Sequence, residues 1–544
     1  MPSFPHVPAD RPALPTWLAD ALHVHRNHSY PEYILHRRQS LAHRTALVFE
    51  NRKLSYEQLA ASVDSAAGIL QRHYGLRAGD RVVICAENSD LYVIAYFAVL
   101  RAGCVAVPVN PKLTPHELAY LVNDCSAALF MHAGLPAEFL GQLAGLFDRQ
   151  VPLATLDLAP TGDAQDHTAP ETPDPDAAAV IFYTSGTTGK PKGVIHTHRT
   201  LIAGALQAAH AWGYAREDLV NLAITPLFHV ASHSWSYPTL AHGGTLVVDT
   251  YSTERIFDLI ERHRVQGFGC VPAMLLMMLR SEARVGRDLS SVINVRFGAS
   301  PMPAERLAEV QGLFPNAQLY HGMGQTESCG TISVLPGALA LDKAGSTGWP
   351  LPGCEVRIVD DEGRDVAPGE RGEVLARSPS VMIGYFGRTQ ETQETLRDGW
   401  LHTGDVGYRD AQGLIYLVDR KKDMIIRGGE NIYSVEIEHV LALHARVESC
   451  AIIGMPDDLM GERVGAVVVV RGGQPEAGGV SQSLADELKA WCRARLAHFK
   501  VPEEIFFVNS LPQTATGKIQ KGVLRQQLLA ARESATRAAM GSHV

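Results

Sequence analysis

The eight cysteines of this 544-residue chain (Cys85, Cys104, Cys125, Cys270, Cys329, Cys354, Cys450 and Cys492) include no Cys-x-x-Cys pair. The scatter argues against a zinc site and against a disulfide framework, and a reducing, cytoplasmic setting is expected. Long apolar runs are also missing. The most apolar segment, Leu91 to Val109, is split by Arg101-Ala-Gly103, and neither half reaches the ~20 residues that span a bilayer. Peripheral membrane contact and self-association stay open. Basic blocks are absent too: 49 Lys and Arg are mixed with 58 Asp and Glu for a net charge of -9, so no nucleic-acid partner is expected. Residues 1–30 lack the charged-then-apolar order of a secretory signal. This proline-rich stretch, with His6, His23, His25 and His28 at no regular i, i+4 spacing, reads as a solvent-exposed leader and not a metal tract. At 544 residues the chain exceeds a single core, and two or more domains are expected.

What the chain does have is a dense polar loop. Tyr183-Thr-Ser-Gly-Thr-Thr-Gly-Lys-Pro-Lys-Gly-Val194 follows the apolar run Ala179-Val180-Ile181-Phe182, the pattern of a buried strand ending in a loop. Thr184, Ser185, Thr187 and Thr188 bring hydroxyls, Gly186, Gly189 and Gly193 bring turns, and Lys190 and Lys192 bring positive charge. Glycines let backbone N–H groups face an anion, and the hydroxyls and ammonium groups add donors and charge. The chemistry is that of a polyphosphate cradle. A Walker A loop does not fit, because only two residues separate Gly186 from Gly189 and Pro191 stands where Ser or Thr should open a helix.

Around this loop strands and helices alternate. Val82–Ala86, Cys104–Val109 and Ala127–Met131 read as strands, with helices over Ser89–Leu100 and Thr114–Asp124, which predicts parallel sheet. Residues 157–177, rich in Pro, Asp and Thr, read as a loop. Thr200–Trp212 is a predicted helix. Leu222–Pro226, Thr245–Asp249, Gly267–Val271 and Val292–Gly298 are predicted strands, and Val356–Val359 with Glu373–Ala376 suggests a small β subdomain. Later, a helix from Ser434 to about His444, strands at 450–454 and 464–470, a helix near 484–497 and a strand at Ile505–Val508 form an α+β unit. The expected organisation is a leader at 1–30 and a large α/β domain at 31–420, with parallel sheets flanked by helices plus the small β subdomain. A small mobile α+β domain follows at 421–544, hinged near Lys422 in the charged run Asp419-Arg-Lys-Lys-Asp423.

Four further segments carry chemistry: Met323-Gly-Gln-Thr-Glu327, Trp400-Leu-His-Thr-Gly-Asp405, Arg427-Gly-Gly-Glu430 and Leu511-Pro-Gln-Thr-Ala-Thr-Gly-Lys518. A lone carboxylate such as Glu327 suits Mg2+, which takes few protein oxygens beside phosphate oxygens. Asp405 can accept from two hydroxyls at once, as on a ribose. Gly428 and Gly429 permit close backbone approach by a ligand. With TSGTTGKPKG, and in this order over residues 45–525, these segments resemble the adenylate-forming superfamily of acyl-CoA synthetases, peptide-synthetase adenylation domains and luciferases. The resemblance implies an enzyme using ATP, Mg2+ and CoA. It implies that Glu327 holds the metal, that Thr326 and the 184–192 loop contact phosphate, and that Met323, Gly324 and Gln325 lie along the nucleotide. It places Asp405 and Arg420 at the ribose, Lys422 at the hinge, Gly428 and Gly429 at the pantetheine arm of CoA, and Lys518 at the adenylation step. Met323 stands where the family carries an aromatic ring on adenine. A thioether contact of about 0.3–1.5 kcal/mol replaces stacking of about 0.5–1.5 kcal/mol, so ATP binding survives the change.

The acid is read from Pro226-Leu-Phe-His229. Amino-acid-activating relatives carry Asp after this Phe, whereas here no carboxylate appears before Asp249, and a buried substrate ammonium would lack a partner. Phe-His resembles acyl- and aryl-CoA ligases, which implies that His229 lies at the carboxylate entrance; a packed core histidine is the plain alternative. His233, Trp235, Ser300 and Gly322 are expected to wall the acyl site, where Trp235 would shorten it. The expectation is an AMP-forming acid–CoA ligase, with a medium- or long-chain fatty acid first. The alternatives are an aryl acid, or an acyl-AMP ligase that passes the acyl group to an acceptor other than CoA. A non-catalytic nucleotide-binding regulator would share the fold, but Thr326, Glu327, Asp405, Arg420 and Lys518 together argue against it.

Overall fold

The computed structural model describes residues 14–144, 153–155, 173–184, 191–300, 302–421, 423–427, 430–457, 459–473, 479–513 and 519–541. It divides into a larger unit (Met1–Arg357, Leu375–Thr403 and Asp410–Ile415) and a smaller one (Ile358–Val374, Gly404–Arg409 and Tyr416–Val544). The division runs through four strands, Glu355–Val359, Gly372–Arg377, Trp400–Arg409 and Ile415–Arg420.

The larger unit holds two sheets. One runs in the order Gly384–Tyr385, Lys192–Thr197, Ala178–Thr184, Val105–Val109, Arg81–Cys85, Leu129–His132 and Leu153–Thr155. Its inner strands are parallel, while Lys192–Thr197 pairs antiparallel on both sides. The other has six parallel strands (Thr45–Phe49, Thr245–Val248, Val220–Ala223, Gly267–Cys270, Asn294–Gly298 and Gln318–Met323), edged by antiparallel Arg52–Ser55 on one side and continued by antiparallel Ser333–Leu335 and Ser346–Pro350 on the other. The sheets are mixed within the expected α/β architecture: Ala178–Thr184 and Lys192–Thr197, joined by one loop, pair antiparallel, and strands linked through helices, such as Asn294–Gly298 and Gln318–Met323, pair parallel. Val105–Val109 is buried at every position, as a strand covered on both faces requires. The apolar segment after Ser89 is a core helix, Asp90–Arg101, capped by the Ser89 hydroxyl accepting from Tyr92 N at 3.1 Å. No helix among the described residues is long and apolar enough to cross a membrane.

Residues 14–30 differ from the expected exposed leader. Thr16–Val24 is a helix, and Leu14, Leu18 and Leu22, spaced by four, pack into the main core, where Leu18 and Tyr30 are fully buried. Proline and histidine content masked this short apolar stripe. His25 and His28 place their Nδ1 atoms 2.9 Å apart, yet no group of three potential metal ligands occurs among the described residues. The predicted loop at 157–177 falls largely outside them.

The smaller unit has a sheet ordered Glu430–Ile432, Ile425–Arg427, Gly461–Val470 and Val447–Asp457, with Glu504–Phe507 parallel on Gly461–Val470. The helices Ser434–Ala442 and Gly479–Arg493 belong to the same unit, and Ile437, Leu441, Ile452, Val464, Val468 and Leu488 form its core. Ser434 begins its helix as expected but does not cap it; its hydroxyl donates to Asp419 Oδ2 at 2.7 Å.

One side chain ties the two sheets of the larger unit together at their strand ends. Asn88 donates from Nδ2 to Thr225 O (2.9 Å) and Asp249 O (3.0 Å), and its Oδ1 accepts from Leu227 N (2.8 Å). It therefore sets the path of the loop that leads to His229. Replacing it by Asn88→Leu orphans three buried backbone groups. We expect the larger unit to lose about 2–3 kcal/mol of stability, measured as a lower urea midpoint.

Candidate active site

The cradle connects two antiparallel strands, Ala178–Thr184 and Lys192–Thr197, with Thr184 opposite Lys192. Ser185, Gly186, Thr187, Thr188, Gly189 and Lys190 lie outside the described residues. The strands that deliver them are firmly held. Tyr183 donates to Asp124 Oδ2 at 2.6 Å, and Arg388 pairs with Asp124 Oδ1 at 2.9 Å. Lys192 Nζ sits 4.6 Å from the centroid of the Tyr385 ring, a cation–π contact.

Tyr385 also reaches Glu327. Its hydroxyl donates to Glu327 Oε1 at 2.8 Å, and burial together with this carboxylate pushes the phenol's pKa well above its ordinary value. The backbone of the same turn is clamped twice more: Met382 N donates to Glu327 O at 2.8 Å, and His196 Nε2 lies 2.8 Å from Thr326 O. A carbonyl only accepts, so His196 carries its proton on Nε2. Burial pulls this imidazole down to about 4, so it is neutral at physiological pH. Thr326–Ser328 is one 3-10 turn, followed by Cys329 at φ 58. Gly324 leads into it with no room for a side chain, since a Cβ there would fall 1.9 Å from Gly330 O. The Gln325 amide N donates to Ser328 Oγ at 3.2 Å. Met323 is buried, its sulfur 4.0 Å from Thr347 Oγ1. Glu327 is a single carboxylate with one oxygen anchored. That donor set suits Mg2+, which draws its remaining ligands from phosphate and water.

The residues expected at the acyl site separate into two groups. Gly298 pairs with Gly322 across adjacent strands, and the Trp235 ring lies against Gly269 and Gly298: a Cβ on Gly269 would fall 2.7 Å from it, and one on Gly298 3.6 Å. Ser300 is exposed just beyond the end of the Gly298 strand. His229 Nδ1 accepts from Ala231 N at 3.2 Å, and the residue is half-buried. His233 is elsewhere: fully buried in an aromatic core, its Nε2 2.8 Å from the Tyr96 hydroxyl and its Nδ1 3.3 Å from Ser232 Oγ. Burial pulls this ring down to about 3, and it is neutral.

In the smaller unit Asp405 and Arg420 meet, with Arg420 Nε 2.8 Å from Asp405 Oδ1. Beside them Asp419 Oδ1 accepts from Arg420 N, its Oδ2 from the Ser434 amide, and Glu438 pairs with Lys521 at 2.8 Å. Lys422, Gly428, Gly429 and Lys518 lie outside the described residues. Sequence reasoning missed His196, Tyr385, Asp419 and Ser434 as site supports. Tyr385 stands 58 residues from Glu327 in sequence, and no local pattern links them.

The chain matches two family models, the AMP-binding enzyme over residues 36–386 and the AMP-binding enzyme C-terminal domain over residues 436–518. It is 37% identical over 505 residues to a feruloyl-CoA synthase of Amycolatopsis sp, covering 92% of this chain and 99% of the relative. It is 35% identical over 500 residues to an indoleacetate–CoA ligase of Aromatoleum aromaticum, covering 89% of this chain and 95% of the relative. Among solved structures, o-succinylbenzoate CoA synthetase from Bacillus subtilis with its acyl-adenylate superposes with a TM-score of 0.81 at 30% identity, covering 91% of this chain and 98% of that one. The same enzyme with ATP and a magnesium ion gives 0.78 at 31% identity, covering 90% and 98%. With the two-domain α/β architecture, the Glu327 turn and these matches in agreement, the chain belongs to the AMP-binding enzyme family, as an AMP-forming acid–CoA ligase that uses ATP, Mg2+ and CoA.

Proposed function

We propose that this ligase activates aryl acids. ATP and an aryl carboxylate give acyl-AMP and pyrophosphate; the CoA thiol then attacks the acyl carbon and releases AMP. The observation that carries the choice is the Trp235 ring lying on Gly269 and Gly298. With the indole packed directly on these glycines no open tunnel runs along this face for a long flexible chain, whereas an aryl ring can take the flat floor without side chains when Trp235 moves to another rotamer. The fatty-acid expectation gives way to this reading. Relatives named for feruloyl and indoleacetyl substrates, and the adenylate of o-succinylbenzoate on the neighbouring fold, support the same choice.

In this proposal Thr184, Lys192 and the residues between them hold the polyphosphate, Thr326 contacts the α-phosphate, and Met323, Gly324 and Gln325 line the nucleotide. Asp405 accepts from the ribose hydroxyls, oriented by Arg420, and His229 stands at the carboxylate entrance. Glu327 holds Mg2+, which when bound offsets phosphate charge. Lys518 supplies an ammonium as two anions meet. At ~4 Å and an effective dielectric of 20, such a charge is worth about 4 kcal/mol. Gly428 and Gly429 admit the pantetheine arm. Because Lys518 and this loop both belong to residues 421–544, a swing about Lys422 separates the two half-reactions.

The direct test is CoA-dependent AMP release across a panel of aryl and aliphatic acids. Aryl acids are expected to exceed C8–C16 fatty acids at least about tenfold in kcat/KM; the opposite order would sink the reading, and AMP release indifferent to CoA would favour another acceptor. Lys518→Ala should slow adenylate formation by about 10³ while sparing thioester formation from supplied acyl-adenylate; equal loss of both half-reactions would refute its role. Tyr385→Phe frees the anchored oxygen of Glu327. We expect the Mg2+ concentration for half-maximal adenylate formation to rise about ten- to hundredfold, read by magnesium titration of pyrophosphate exchange.

A further inference from the structure

Arg296 has no role in the reaction just described, and its surroundings are unusual. Its side chain is fully buried, and no carboxylate among the described residues pairs with it. Nη2 donates to Asn221 Oδ1, and the guanidinium lies 4.3 Å from the centroid of the Tyr214 ring. Nε and Nη1 find no acceptor among the described residues. Asn294 Oδ1, on the same face of the strand, is also without a partner there, and being neutral it would not balance the charge. Burial lowers the Arg296 pKa to about 10, so the group stays protonated at neutral pH. A buried cation without a counter-charge is costly, and native structures seldom keep one without a use.

Its position supplies the use. Arg296 is two residues before Gly298 on the same strand, so both face the same way, and its cross-strand neighbour is Gly269. Gly267, Gly269, Gly298 and Gly322 leave that face bare, with Trp235 lying over Gly269 and Gly298 and Trp212 over Gly322. The strand rise puts Arg296 about 7 Å further in than Gly298. The floor thus runs inward from the exposed Ser300 end, beneath the Trp235 indole, to a lone positive charge.

Building on the aryl-acid reading, we propose that Arg296 is a specificity residue that binds an anionic oxygen group at the end of the acid remote from the carboxylate being activated, so that the preferred substrates are aryl acids bearing a distal carboxylate. The aryl body takes the glycine floor as Trp235 moves to another rotamer, and the unpartnered Nε and Nη1 nitrogens offer donors to the distal group. A phenol or carbonyl would satisfy those donors without matching the charge, and ranks second. Arg–carboxylate pairing is the strongest match for a planar, desolvated guanidinium.

The test uses the full-length enzyme with ATP, Mg2+ and CoA, on 4-carboxy, 4-hydroxy and 4-methyl forms of benzoate and of 3-phenylpropenoate. At one of the two lengths the wild type is expected to prefer 4-carboxy over 4-methyl at least about tenfold in kcat/KM, with 4-hydroxy between. Arg296→Met should remove that preference by lowering turnover of the 4-carboxy acid while keeping the 4-methyl acid; Arg296→Lys should retain the order in weakened form. A buried charge replaced by an apolar chain of similar length usually leaves the fold intact, and if Arg296→Met fails to fold, the wild-type order and Arg296→Lys decide. A wild type indifferent to the distal group at both lengths overturns the inference, as does an Arg296→Met that slows all three acids alike. Both results leave the aryl-acid reading standing. Activity confined to aliphatic acids would instead remove that reading, and the inference with it.

Discussion

The clamp on the Thr326–Glu327 turn is the constraint on which the larger unit's site depends. A carboxylate proposed to hold a metal, as Glu327 is, must already point the right way, because reorienting it during the reaction would consume the stabilisation it is there to provide. Here two backbone carbonyls and one carboxylate oxygen are each held by a separate donor at 2.8 Å: His196, the Met382 amide and the Tyr385 hydroxyl. Those donors come from two different stretches of chain. The clamp therefore forms only when the strand leaving the cradle and the segment at 382–385 have both docked. The Lys192 contact with the Tyr385 ring extends the same arrangement to the cradle itself.

Glycine serves a different purpose in this site from the one it serves in the cradle. Gly298 and Gly322 lie within strands, where the residue usually weakens pairing, and their value here is the space they leave. A Cβ on Gly298 would fall 2.6 Å from Gly322 O, and one on Gly322 2.4 Å from the Trp212 ring. The bare floor lets two indoles approach the sheet as closely as backbone allows. Arg296 lies fully buried on that same face, opposite Gly269. Packing, and not the strand pattern, sets the shape of the proposed acyl site.

The smaller unit shows a related economy around Asp419. One carboxylate accepts from the Arg420 amide, the Ser434 amide and the Ser434 hydroxyl, which ties the end of the Ile415–Arg420 strand to the start of the Ser434–Ala442 helix. Arg420 is thereby presented to Asp405. Lys521 adds an ion pair with Glu438 one turn further along that helix. Residues flanking the proposed hinge at Lys422 are thus rigidly seated even though the chain between them is short and charged.

Much of this was legible without coordinates. The alternation of apolar strands with capped helices announced the α/β architecture, because buried parallel strands must be continuous and apolar while covering helices carry a 3.6-residue stripe. The hydroxyls, glycines and lysines of 184–192, with Glu327 and Asp405, announced nucleotide chemistry, because those groups act through their own donors and charges wherever the fold carries them. Three things were not legible. The helix at Thr16–Val24 was hidden by the prolines and histidines around it, and His233, expected at the pocket, turned out to be a neutral core residue bonded to Tyr96. Tyr385, His196 and Arg296 gave no signal, since an isolated tyrosine, histidine or arginine acquires meaning only from its neighbours. By itself the sequence determined which atoms can do chemistry and which segments are strands or helices, because both are properties of short stretches of chain. Only the tertiary structure decided which residues face one another, because contacts between residues 58 or 130 positions apart, such as those of Tyr385 with Glu327 and His196 with Thr326, are set by how whole sheets pack.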